Sequence, residues 1–129
     1  MKVLVLSNGN LEVKEIENTL ESLQEIVGGY IEIPYLSKDF SHNRIDVIIN
    51  DEGKFIDGLN KEIAIVERGT NRILDIVYGN VIFASHDIEG NTISLNEEQI
   101  EIVKEKLKNE VILYDRKIDK DFFVKVLFI

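Results

Sequence analysis

The chain has no cysteine and no tryptophan, and only one proline, one methionine and two histidines in 129 residues. Without cysteine there can be no disulfide, thiolate nucleophile, zinc finger or iron–sulfur ligation, which suits a reducing cytoplasm. With His42 and His86 as the only imidazoles, no further ligand stands at metal-binding spacing from His42, and no metal or other cofactor is expected. Cations are also scarce. Fifteen Lys and Arg against 24 Asp and Glu give a net charge of -9 and a pI near 4.7. Such a surface repels phosphate backbones and anionic lipids, which argues against direct nucleic-acid or membrane binding, and it speeds encounter with cationic partners. Long apolar runs are missing: Met1 to Ser7 ends at Asn8-Gly9-Asn10, far short of a signal core or a membrane span. There is no G-x-S-x-G, no phosphate-binding P-loop, no dinucleotide fingerprint and no Ser/His/Asp order, so catalysis is the least supported class.

What is present is enough apolar material, 44% of residues, for one real core and too little chain for two ordinary domains. The pattern predicts a single α+β domain over residues 1–129, mostly antiparallel hairpins with two amphipathic helices. Lys2 to Ser7 and Leu11 to Ile16 read as a first hairpin about Asn8-Gly9-Asn10. Asn18 with Glu21 has capping-box spacing, and Ile16, Leu20, Leu23 and Val27 share one helical face. Gly28-Gly29 then closes the helix, so a strand can start at once over Tyr30 to Leu36, with Pro34 marking an edge strand or its end. Ser37 to Asn43 reads as loop. Ile45 to Ile49, Asn50-Asp51-Glu52-Gly53 and Lys54-Phe55-Ile56 read as a second hairpin, and Leu59 to Val66 as a short helix, although Ile63 to Val66 would also suit a strand. Strands follow over Ile73 to Val77, Asn80 to Ser85 and Ile88 to Ile93. Asn96 with Gln99 opens a second helix that ends near Asn109, with Ile100, Val103, Leu107 and Val111 on its apolar face. Val111 to Tyr114 and residues 122–129 form a C-terminal strand pair. Seven of the last eight residues are apolar, so that strand is expected to be buried on both faces or to pair with another copy as a homo-oligomer contact.

Four groups of residues are candidates for chemistry or recognition. The outward face of the second helix bears Glu97, Glu98, Glu101 and Glu105, which is either a solvated face with some i,i+4 pairing or a partner-binding acidic surface. Arg68, Asn71 and Arg72 cluster in Glu67-Arg68-Gly69-Thr70-Asn71-Arg72. Two guanidiniums there could grip a phosphate or carboxylate, with Asn60, Lys61 and Tyr78 as neighbours, or could simply be solvated loop charges. His86, beside Asp87 at the end of an apolar strand, offers a conceivable acid–base group. Tyr30, Tyr35, Phe40 and Phe55 could stack a base, though aromatics of half-buried strands usually serve the core.

The order of segments resembles a family of small proteins of bacteriophages, prophages and other mobile elements, classed as a domain of unknown function. The residues that carry the likeness are Leu20 to Gln24 running into Val27-Gly28-Gly29-Tyr30-Ile31-Glu32, then Asn50 to Lys54, Asn60, Gly79 to Phe83 and Ser94 to Gln99. It covers roughly the first 105 residues and leaves 111–129 as a C-terminal extension. The family typically has Asn-Arg where this chain has Asn60-Lys61, which replaces a guanidinium fork by a point charge. The resemblance implies a mobile-element origin and a shared fold, and no reaction. Together with the acidity it suggests a non-enzymatic binding protein in the host cytoplasm that antagonises a host defence component. The alternative is an oligomeric sponge for a signalling nucleotide or other small anion.

Overall fold

A computed structural model describes the backbone of residues 1–115 and 120–129 and the side chains of 1–112 and 123–129. The fold is α+β, with two sheets packed face to face. In the first sheet, β1 (Lys2–Ser7), β2 (Asn10–Glu15), β3 (Ile31–Glu32), β4 (Ile45–Asn50) and β7 (Val81–His86) lie in the order β2-β1-β7-β4-β3, all antiparallel, and the short β8 (Thr92–Ile93) extends the pairing of β7. In the second sheet, β5 (Lys61–Val66), β6 (Ile73–Tyr78), β9 (Glu110–Asp115) and β10 (Lys120–Phe128) lie in the order β6-β5-β10-β9, with β10 parallel to β5.

The alternation of side chains along each strand sorts them between two layers of core. Leu4, Leu6, Val81 and Phe83 point between the sheets, where they meet Ile63, Ile65, Val77 and Leu127. Val3, Val5, Ile82 and Ala84 point the other way, under Leu23 and Val27 of helix α1 (Leu20–Val27). Both faces of β1 and β7 are therefore buried, which explains their continuous apolar runs. Helix α3 (Glu97–Lys106) closes the inter-sheet core with Ile100, Val103 and the flanking Leu107, and helix α2 (Lys38–His42) with Phe40, whose ring meets Phe83 edge-on at 5.9 Å. The first turn has the two-residue form that matches strand twist, with Asn8 at φ 52° and Gly9 at φ 79°. Its two amide N–H groups donate to the carboxylate of Glu62 at 2.8 and 3.0 Å, which pins the first sheet to β5 of the second. Glu62 is 1% exposed, and burial pushes its carboxyl above the usual range despite those donors.

Several expectations need correction. Helix α1 is capped by Thr19, whose hydroxyl accepts from the Ser22 N–H, because the Asn18 amide is spent on the Thr92 carbonyl at 3.0 Å. Past Gly28 the strand keeps only Ile31–Glu32. Ser37 to Asn43 is not loop but α2, started by the Ser37 hydroxyl accepting from the Phe40 N–H. The second hairpin does not form: β4 is flanked by β3 and β7, and Gly53–Phe55 make a single 3-10 turn. A Cβ on Gly53 would stand 3.0 Å from the Tyr78 carbonyl, so the glycine lets this turn lie against β6. Lys61–Val66 is a strand rather than a helix, as β-branched Ile63, Ile65 and Val66 favour, and of Ile88 to Ile93 only Thr92–Ile93 pairs. The second predicted helix has its capping box but ends at Lys106. Strand β10 pairs within the chain, Lys125–Phe128 with β5 and Lys120–Lys125 with β9.

Candidate functional site

The six residues expected to gather around an anion do not form one site. Lys61 and Tyr78 face each other where β5 and β6 begin and end, with Asn60 beside them accepting the Gly79 N–H at 2.8 Å. Arg68, Asn71 and Arg72 lie in the turn at the far end of the same pair, five strand residues and about 16 Å away. Arg72 is committed to Glu67 at 3.3 Å, and Glu67 also accepts from the Thr70 hydroxyl at 2.8 Å. Arg68 lies in the field of Asp39, whose carboxyl is held below its usual range first by Lys106 and more weakly by Arg68 and His42.

His86 finds its carboxylate across the sheet instead of next to it in sequence. Pairing of β4 with β7 sets Asp46 opposite Ala84, and both Asp46 oxygens lie 3.1 Å from His86 Nδ1. Asp87 turns away to accept the N–H groups of Glu89 and Asn91 at 2.9 Å each, and these bonds hold its carboxyl below the usual range. Among the described residues, no group of three or more His, Asp and Glu could hold a metal ion.

The acidic residues divide into two surfaces of different character. On α3, Glu97, Glu98, Glu101 and Glu105 are exposed, yet Lys2 lies 3.4 Å from Glu97 and Lys108 2.7 Å from Glu105. Glu97 and Glu98 fill the first turn of α3 and Lys104 and Lys106 stand in its last, in accord with the helix dipole, while Glu105 in that last turn is offset by its ion pair with Lys108. The surface around α1 is different. From Glu15 to Ser37 there are five glutamates and no Lys or Arg. Glu17, Glu21 and Glu25 are exposed on or just before α1, and Glu32, Asp51 and Glu52 are exposed where the chain leaves it. The Asp51 N–H donates to the Tyr30 carbonyl at 2.9 Å, which brings this loop against the 76%-exposed Tyr30. None of these six carboxylates forms an ion pair with a described residue. Glu25 stands in the last turn of α1, where no basic residue offsets it and the dipole disfavours a negative charge.

That second surface is the better candidate for a partner interface, because its carboxylates form no ion pair with a described residue and Glu25 stands against the helix dipole. Sequence reasoning gave the interface to α3. The available signal was the lack of Lys or Arg between Lys14 and Lys38. The Asp46–His86 contact had no such signal, since it depends on the pairing of strands 40 residues apart.

Among the described residues no helix is long and apolar enough to cross a membrane. No curated protein and no solved structure matches the chain. Residues 1–108 match a family described as a domain of unknown function (DUF3846), and the chain belongs to that family.

Proposed function

We propose that this chain is a non-enzymatic binding protein that offers an acidic surface to a basic, nucleic-acid-binding face of another protein. The observation that carries the reading is the run of carboxylates around α1 that form no ion pair with a described residue, with Glu25 set against the helix dipole. Charge kept where it costs stability needs a reason outside folding, and electrostatic complementarity to a cationic partner supplies one. Exposed Tyr30 amid those carboxylates adds the kind of aromatic anchor on which interfaces concentrate their energy. Following the resemblance to small phage and prophage proteins, the partner is a host defence component in the cytoplasm, bound stoichiometrically in competition with its nucleic acid. The acidic stripe of Glu97, Glu98, Glu101 and Glu105 serves as a secondary contact.

The test is capture of host-lysate proteins on the immobilised chain at low and high salt, read by mass spectrometry. A basic protein retained at low salt, released at high salt and lost with Glu21→Lys/Glu25→Lys supports the reading. Retention that is indifferent to both salt and charge reversal refutes it.

A further inference from the structure

Between the β3 edge of the first sheet and the β6 edge of the second lies a groove of about 330 Å³. Ile49, Ile65 and Val77 floor it, and Pro34 and Leu36 form one wall. At its lip stands Phe55, the last residue of the 3-10 turn, 86% exposed and contributing nothing to the core.

The charges lining the groove are uneven. Lys54 and Asp75 bind each other, which leaves Glu32 and Asp51 without an ion pair to a described residue. Both belong also to the acidic surface around α1, so groove and surface are continuous. Asp75 additionally accepts the N–H of Ile76 at 2.8 Å, so the outer edge of β6 is hydrogen-bonded there by its own side chain. A visitor at that point of β6 meets a side chain in place of a free backbone donor.

We propose that the groove seats a segment of the partner protein that carries one bulky apolar side chain flanked by Lys or Arg. The apolar group enters over Ile49, Ile65 and Val77 against Phe55, and the flanking cations meet Glu32 and Asp51. A protein segment fits better than a small cation because Phe55, though it lines the groove, is 86% exposed, and a ligand of the groove's own size would leave much of its ring in water. The inference rests on the acidic-surface reading and gives it a recognition chemistry.

A random peptide library panned against the intact chain tests it. The expected winners carry an apolar anchor between basic residues. Bound to the ¹⁵N-labelled chain, a synthetic winner shifts the amide resonances of residues 53–55 and 75–78. Phe55→Ala weakens it about tenfold, and Glu32→Lys/Asp51→Lys by at least as much. Both substitutions are at exposed positions, so thermal melts should match those of the parent chain. No enrichment, winners without basic flanks, a resonance footprint elsewhere, or binding indifferent to those substitutions overturns the groove. If host-protein capture nonetheless depends on Glu21 and Glu25, the acidic-surface reading survives and only the groove fails. If peptides seat in the groove while capture ignores the charges of α1, the groove stands and the wider reading fails.

Discussion

Reversing Glu25 to Lys should make the chain more stable while weakening its association with a basic partner. The stability gain has two sources. A cation in the last turn of α1 is favoured by the helix dipole by about 0.3–1 kcal/mol. This case belongs at the lower end, because the helix terminus is already well served by donors. Gly28 and Gly29 N–H groups donate to the Gln24 carbonyl at 2.8 and 3.1 Å, and the Asn80 and Asn50 amides to the Ile26 and Val27 carbonyls at 3.0 Å each. The new Lys also stands four residues after Glu21, an orientation worth about 0.3 kcal/mol. The sum is about 0.5–1 kcal/mol. With a urea slope of about 1.5 kcal/mol/M, the unfolding midpoint should rise by about 0.3–0.7 M. Glu98→Lys, in the first turn of α3, should lower it by a similar amount, since there the acid accords with the dipole. Urea titrations followed by circular dichroism decide the matter. A midpoint that falls with Glu25→Lys, or shifts the same way for both reversals, would refute the claim that the α1 charge stands against folding.

Glu62→Ala should cost about 2–4 kcal/mol in denaturant unfolding, because the Asn8 and Gly9 N–H groups lose their buried acceptor. Burial raises the Glu62 carboxyl above its usual 4.5, so the folded chain keeps a proton that the unfolded chain has shed, and this group makes stability fall as pH rises from 4.5. At Asp75, burial alone would raise the carboxyl, but Lys54 and the Ile76 N–H outweigh it and hold it below 3.8, as Lys106 does at Asp39; these contribute stability that is lost as pH falls through and below 3.8. Stability measured against pH in Glu62→Gln should lack the first slope and keep the second. Leu127→Ala, at a fully buried position of β10, should cost about 2–5 kcal/mol, and a chain ending at residue 108 should show no cooperative thermal transition because β5 loses its parallel partner; a two-state melt of that fragment would contradict this.

Local signals carried most of the fold that the sequence made legible. The capping box of Asn96 and Gln99, the left-handed Gly28 at φ 85° and the Asn8-Gly9 turn each act within a few residues, and each stands where expected. Errors arose where distant strands decide. Lys61–Val66 carries apolar residues at helical spacing, but β6 on one side and β10, some 60 residues later, on the other make it a central strand. The predicted hairpin about Asn50 to Gly53 fails for the same reason, since β7 takes the side of β4 that its sequence neighbour was expected to fill. Site residues follow this pattern. Proximity in sequence suggested Asp87 for His86, while strand pairing supplies Asp46, and the length of β5 separates Lys61 from Arg68. The acidity was plain from composition. Deciding which of its surfaces folding leaves unexplained required the ion pairs and the helix ends.

The most direct measurement is the affinity of the captured partner, purified, as a function of salt for the parent chain and for Glu21→Lys/Glu25→Lys, with the partner's nucleic acid as competitor. The account predicts that affinity falls steeply with salt for the parent chain, that the double reversal weakens binding and flattens the dependence, and that nucleic acid displaces the chain. Equal affinity for both proteins at every salt concentration, or simultaneous binding of chain and nucleic acid, would contradict it.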